Sequence, residues 1–209
     1  MTTSAITHLE CTSPLSIDYG RLSQGGRVLI IGASGGCGLA GLQLAQYLGA
    51  SEVIGVGSAK NRELVLKEGA TEFIDYTTTN FVDTCGAGAA DDKRFDVVYD
   101  CASGSGAGEN YRASAVTCLR EADAKSGRRH GQYVAINSPG GMWVRAFTIG
   151  QKKNEHLFLM DSNTKDLALL ARLVDEGWSH GSEKLKPVVM KVLEFTSQAD
   201  VVPICCAVR

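Results

Sequence analysis

Two short stretches carry residue types that could hold a charged ligand. Residues 32–38 read Gly-Ala-Ser-Gly-Gly-Cys-Gly, and residues 57–61 read Gly-Ser-Ala-Lys-Asn. In the first, the backbone of Ser34, Gly35, Gly36 and Cys37 carries little side-chain bulk, so its N–H groups can come close to a pyrophosphate. Gly38 would let a following helix lie close against the strand before the turn. The N-terminus of that helix adds partial positive charge. The second stretch offers a hydroxyl at Ser58 and a cation at Lys60, and it holds no carboxylate. An acid at this position would bind the ribose 2′-OH of NAD, whereas a 2′-phosphate needs donors and positive charge instead. The chemistry expected of these residues is therefore the binding of a dinucleotide, NADP(H) in preference to NAD(H). The glycines fit the pattern G-x-G-x-x-G only from its second glycine on, because Ala33 stands in the first glycine position. No Lys-Ser/Thr follows them, which argues against a nucleoside triphosphate loop.

Such residues act only if the right elements position them. Residues 28–31 (Val-Leu-Ile-Ile) form a short apolar, β-branched run, as a buried parallel strand requires. Residues 39–48 read as a helix with Leu39, Leu42, Ala45 and Leu48 on one stripe, stopped by Gly49. A second strand is expected over residues 52–57, a second helix over 59–68 and a third strand over 71–76. This βαβαβ order is the mononucleotide-binding half of a doubly wound α/β sheet. Further strands are expected at 95–101, 132–137 and 156–160, with helices at 110–120 and 164–176. Residues 142–148 are apolar without a clear period, and residues 187–195 read as extended. Cys101 and Ala102, and Ile136 and Asn137, would end the fourth and fifth strands at the carboxyl edge, where such a sheet binds its ligand. Asp96 and Asp100 lie on one strand and read as markers of its ends rather than as an acid/base pair.

Composition narrows the classes of partner. The chain has 209 residues, 21 Lys and Arg against 23 Asp and Glu, and a net charge of −2, which argues against a general nucleic-acid surface. No apolar run is long enough for a transmembrane helix, and residues 1–16 lack the basic and apolar regions of a secretory signal. The expected place is a soluble compartment, the cytoplasm or an organelle such as a chloroplast or mitochondrion. The seven cysteines are odd in number and scattered, with no C-x-x-C and no zinc spacing, which fits free thiols in a reducing compartment and no metal site.

Four segments taken together carry a family resemblance. They are Ile-Gly-Ala-Ser-Gly-Gly-Cys-Gly (31–38), Gln-Leu-Ala-Gln-Tyr-Leu-Gly-Ala (43–50), Glu-Gly-Ala-Thr-Glu-Phe-Ile-Asp-Tyr (68–76) and Phe-Asp-Val-Val-Tyr-Asp-Cys (95–101). Their order resembles the medium-chain dehydrogenase/reductase superfamily over about residues 22–195. Within it they most resemble the zinc-independent quinone oxidoreductase branch, which includes chloroplast-envelope quinone oxidoreductase homologues and reticulon-4-interacting-protein-like reductases. The resemblance implies a Rossmann-type domain that binds NADP(H) and reduces a quinone or an α,β-unsaturated carbonyl. It also implies cofactor contacts at Gly35, Gly36, Gly38, Ser58, Lys60 and Tyr76. In some members the lysine stands one position later, where this chain has Asn61. The family carries a GroES-like catalytic domain before the nucleotide domain and returns to it at the C-terminus. The expected division is a lead-in at residues 1–24, an NADP(H)-binding domain at 25–180 and a truncated remnant of the catalytic domain at 181–209. A homodimer is expected through residues near 142–160, because 157–160 (Leu-Phe-Leu-Met) would otherwise form an open apolar edge.

Other chemistries fit less well. None of the six tyrosines has a lysine four positions on, as short-chain dehydrogenases need. A methyltransferase would want an acid where Ser58 and Lys60 stand. No Gly-x-Ser-x-Gly elbow and no His-Glu-x-x-His occurs. A non-catalytic NADPH-binding module remains the alternative to the reductase.

Overall fold

A computed structural model of the chain describes residues 22, 25–85, 90, 93–104, 110–122, 130–136, 140–150, 154–157, 164–177 and 184–186. In chain order the elements are β1 (Arg27–Ile31), α1 (Gly36–Tyr47), β2 (Glu52–Gly57), a 3-10 turn (Ala59–Asn61), α2 (Arg62–Lys67), β3 (Glu72–Asp75) and α3 (Phe81–Cys85). There follow β4 (Val97–Asp100), α4 (Arg112–Thr117), β5 (Gln132–Ala135), α5 (Gly140–Thr148), β6 (Glu155–Leu157) and α6 (Thr164–Asp175). The six strands form one sheet in the order β3-β2-β1-β4-β5-β6, and every neighbouring pair is parallel. This is the expected doubly wound Rossmann-type architecture. The order reverses between β1 and β4, and the carboxyl ends at such a switch point are where a doubly wound sheet takes its ligand.

The sequence of β1 explains why the sheet is covered on both sides. Successive side chains point to opposite faces of a strand. Val28 and Ile30 join Leu39, Leu42 and Ala45 of α1 and Val65 of α2 in one cluster. Leu29 and Ile31 join Phe81 of α3 and Ala115 of α4 in another. A strand buried on both faces must be apolar at every position, and each such side chain contributes about 1.5–3 kcal/mol by leaving water. Helix α1 is buried on a further side as well. Its Leu44 packs with Leu170 and Leu173 of α6 and with Leu185. Gln43, next to it, donates from Nε2 to the Lys186 carbonyl oxygen at 3.1 Å and accepts from the Lys186 N–H at 2.8 Å. A polar residue can be buried here because both ends of its amide are bonded.

The boundaries differ from the sequence expectation in instructive places. Helix α1 begins at Gly36, three residues before the apolar stripe, since glycines can adopt helical dihedrals even though they disfavour them. Strands β3, β4 and β5 are shorter than the expected runs: the Phe95 N–H turns away to the Cys118 carbonyl oxygen, while Cys101 and Ile136 stand one residue past the ends of β4 and β5, still bonded to Ile31 and Asp100. Residues 140–148 form a helix, where the sequence showed no period. Strand β6 runs Glu155–Leu157; residues 158–160, the expected extended segment 187–195, and almost all of 1–24 lie outside the described residues.

Charged residues close the amino edge of the sheet. Arg27 pairs with Glu52, its register neighbour on β2, and lies over the Phe95 ring at 5.0 Å. Asp96 accepts the Arg27 N–H at 2.8 Å and pairs with Arg120 at 2.7 Å. Asp96 therefore marks the start of its strand, as expected.

Candidate functional site

All six strands are parallel, so their carboxyl ends share one edge, and the sequence-predicted residues gather there. After β1 the chain turns at Gly32, whose φ is +78°, and a Cβ there would stand 3.2 Å from Ala102 Cβ. Gly32 thus makes the tight turn that the motif assigned to the position of Ala33. The N–H groups of Gly32 and Ala33 both donate to the Val56 carbonyl oxygen of β2, at 3.1 and 3.0 Å. Helix α1 then starts against the turn. A Cβ on Gly38 would stand 2.4 Å from the Gly32 carbonyl oxygen and 2.6 Å from Ala33 Cα, so only glycine allows this approach. Gly35 and Gly36 are exposed, no side chain caps α1 at Gly35, and no acid stands in its first turn. The helix therefore presents the positive end of its dipole beside backbone that a ligand can reach.

The segment after β2 comes to the same corner. Asn61 Nδ2 donates to Ser34 Oγ at 3.0 Å and lies 3.4 Å from Ser58 Oγ, tying the glycine turn to the segment that follows β2. Lys60 sits on the 3-10 turn and Tyr76 follows β3, and both are exposed. The Tyr76 N–H donates to the Gly57 carbonyl oxygen at 3.2 Å, which places the two segments side by side. Asp75 adds an acid to this corner that spacing did not reveal. Its carboxylate accepts the Thr77 hydroxyl at 2.8 Å and the Thr77 N–H at 3.0 Å. These donors, with help from the Ala59 N–H, hold it below the usual carboxylate range. The acid is engaged in shaping the turn.

The other half of the edge is built differently. Cys101 and Ala102 follow β4 half-buried, with the Cys101 N–H bonded to the Ile31 carbonyl oxygen at 2.9 Å. Ile136 follows β5, half-buried, its N–H bonded to the Asp100 carbonyl oxygen at 3.1 Å; Asn137 lies outside the described residues. Between them the Asp100 carboxylate is fully buried. Oδ1 accepts the N–H groups of Ala102 and Ser103 at 3.0 and 2.9 Å. Oδ2 accepts the Ser103 hydroxyl at 2.5 Å and the Tyr133 hydroxyl at 2.8 Å. Ser103 Oγ in turn accepts the Tyr111 N–H at 2.9 Å, which fixes the entry to α4. Burial, and the adjacent Asp100 charge, hold the Tyr133 phenol protonated well above the ordinary tyrosine range. With four donors on its two oxygens, Asp100 organises the loop after β4. The sequence showed an acid at a strand end but not this network. Its one local signal is Asp100 with Ser103 three residues on, an Asx-type turn.

Among the described residues, no group of three or more His, Cys, Asp or Glu stands together as a metal site would need. No helix among them is long and apolar enough to cross a membrane.

A family model described as zinc-binding dehydrogenase matches residues 68–202. The chain belongs to the zinc-binding dehydrogenase family. It falls within the medium-chain dehydrogenase/reductase superfamily that the four sequence segments resemble. The rat synaptic vesicle membrane protein VAT-1 homolog is 37% identical over 94 residues, covering 45% of this chain and 23% of that protein. The rat quinone oxidoreductase is 38% identical over 80 residues, covering 38% of this chain and 24% of that protein. The match thus spans less than a quarter of either curated relative. Among solved structures, the quinone oxidoreductase from Coxiella burnetii superposes with a TM-score of 0.59 at 24% identity, covering 83% of this chain and 47% of that one. That likeness shows the shared fold of this zinc-binding dehydrogenase family member.

Proposed function

We propose that this chain binds NADP(H) and serves hydride transfer from NADPH to a quinone or an α,β-unsaturated carbonyl, without zinc. The observation that carries this reading is the corner where Ser34, Ser58 and Asn61 meet beside the exposed, uncapped, acid-free start of α1, with Lys60 on the same turn as Asn61. The donors and charge there fit a pyrophosphate and a 2′-phosphate. When bound, the nicotinamide supplies the hydride, and the protein's part is to bind, orient and exclude water. Ser34, Gly35, Gly36, Cys37 and the start of α1 take the pyrophosphate, with Gly38 permitting the close helix. Ser58, Lys60 and Tyr76 take the adenosine 2′-phosphate end. Cys101, Ala102, Ile136 and Asn137 flank the nicotinamide ribose. The rat quinone oxidoreductase, 38% identical over its matched part, supports the choice of acceptor. The zinc-independent branch rests on the resemblance of the four segments.

The same reading divides the chain into a lead-in at 1–24, a nucleotide domain at 25–180 and a C-terminal return segment at 181–209. It places the protein in the cytoplasm or an organelle interior, with a small-molecule substrate, no nucleic-acid partner and a homodimer formed around 142–160. Strand β6 at the edge of the sheet, and the exposed Phe147 and Ile149 beside it in sequence, support the dimer. The second reading is a non-catalytic NADPH-binding module. It is supported by the site itself, whose identified residues all belong to the cofactor side and none to an acceptor. Rate requires holding an acceptor about 3–3.5 Å from the hydride. NADPH oxidation with a panel of quinones, run on this chain and on a longer chain carrying an upstream GroES-like domain, separates the readings. Brisk turnover by this chain supports the reductase and excludes the module. Cofactor binding without turnover in either chain supports the module.

A further inference from the structure

Two buried thiols meet on the face of the sheet opposite α1. Cys85 ends α3 and Cys118 follows α4, 33 positions away in sequence, yet their sulfurs stand 3.5 Å apart. Both belong to the core cluster with Phe81, Phe95 and Ala115, and neither takes part in the cofactor corner. Cys85 has one thiol proton for two acceptors, the Phe81 carbonyl oxygen at 2.7 Å and the Cys118 sulfur. A disulfide has its sulfurs about 2.05 Å apart, so bond formation needs the two to close by roughly 1.5 Å. The adjoining element is short: α3 has five residues, and a helix of that length holds its place through packing rather than by itself. Local opening of such an element admits a small oxidant to a buried pair.

We propose that Cys85 and Cys118 form a reversible dithiol–disulfide site oxidised by a peroxide. Cys118 is the attacking sulfur: the Cys85 thiol donates toward it and the Arg94 guanidinium is near, and both lower its proton affinity. The same pairing, together with burial, holds the Cys85 thiol protonated. In the first step the Cys118 thiolate attacks one oxygen of hydrogen peroxide. The O–O bond breaks, hydroxide leaves and takes the thiol proton as water, and Cys118 becomes a sulfenic acid. In the second, Cys85 gives up its proton and attacks the Cys118 sulfur. The S–S bond forms, the S–O bond breaks, and the departing hydroxide leaves as a second water. Two thiols are oxidised by two electrons, one peroxide is reduced to two waters, and an external dithiol reverses the change. The product would join α3 to the end of α4 across the core, a covalent tie that two separate buried thiols could not make.

The test treats the folded full chain with excess hydrogen peroxide, quenches it with catalase, unfolds it in N-ethylmaleimide, and digests it for mass spectrometry. The expected result is a cross-linked peptide pair containing Cys85 and Cys118. Both residues should leave the maleimide-labelled pool together and return together after dithiothreitol. In Cys85→Ser, dimedone should trap the sulfenic acid at Cys118. Recovery of Cys85 and Cys118 fully labelled after peroxide, or of either oxidised without the cross-link, overturns the proposal. Since the wild-type digest decides this alone, it holds even where the serine variant does not fold.

Discussion

The two halves of the carboxyl edge use polar groups in opposite ways. At the ends of β1 and β2, Ser34, Ser58 and Asn61 meet half-buried, linked by bonds of 3.0 and 3.4 Å, next to exposed glycine backbone and an exposed lysine. At the end of β4, Asp100 is fully buried and receives four donors. The first arrangement leaves donors near solvent that a phosphate can take; the second has none to spare. A buried polar group that is completely bonded stabilises a loop, whereas a shallow cluster with positive charge and no acid in the helix turn is suited to a ligand. Mutation should therefore separate the halves, with stability lost on the β4 side and cofactor affinity lost on the β1–β2 side.

The largest effect is expected from Asp100→Ala, which leaves the Tyr133 and Ser103 hydroxyls and two N–H groups without their acceptor. Each buried donor left so costs about 1–3 kcal/mol, and partial relaxation should hold the total near 3–5 kcal/mol in denaturant unfolding. A loss below about 1 kcal/mol would show that the network is dispensable and blur the contrast. Next is Gly38→Ala, where the new methyl meets the Gly32 carbonyl oxygen at 2.4 Å. Overpacking of this kind should cost about 2–3 kcal/mol, and NADPH binding should weaken with it as α1 is pushed from the turn. Lys60→Ala comes third. It should weaken NADPH by about 1–3 kcal/mol, the range of a charge-assisted contact, while NADH binding and the unfolding midpoint hardly change. Equal loss for both cofactors would show that Lys60 does not read the 2′-phosphate. The smallest effect is a pH slope. Tyr133 keeps its proton in the folded chain above the value of about 10 at which the unfolded chain releases it. The stability it contributes is complete below pH about 10 and is lost as pH rises above that value. Tyr133→Phe should remove this part of the alkaline slope in urea unfolding measured between neutral and alkaline pH; an unchanged slope would place its origin elsewhere.

The sheet was legible because β1 and β2 are buried on both faces and so spell continuous apolar runs between glycine stops. Residues 52–57 were bounded correctly, as were the helix stops at Gly49 and Gly177, both at positive φ. The glycine turn and the Ser58–Lys60 segment were legible from residue type and order. Asn61 was noticed only as the place where other members carry lysine; its bond to Ser34 depends on two loops meeting, which spacing along the chain does not encode. Helix α5 was not expected because it opens on Gly140 and Gly141, poor helix formers, and because its apolar Val144 and Phe147 are exposed rather than turned to the core. Asp100 and the Cys85–Cys118 pair were hidden for the same reason as Asn61: their partners lie on other elements.

The central claim is that the corner beside α1 holds NADP(H) by its 2′-phosphate. Fluorescence titration of the purified chain with NADPH and with NADH tests it most directly. The account predicts saturable binding with NADPH at least about tenfold tighter than NADH, a difference of about 1.4 kcal/mol. Equal affinity for the two, or no binding of either by the folded chain, would contradict it.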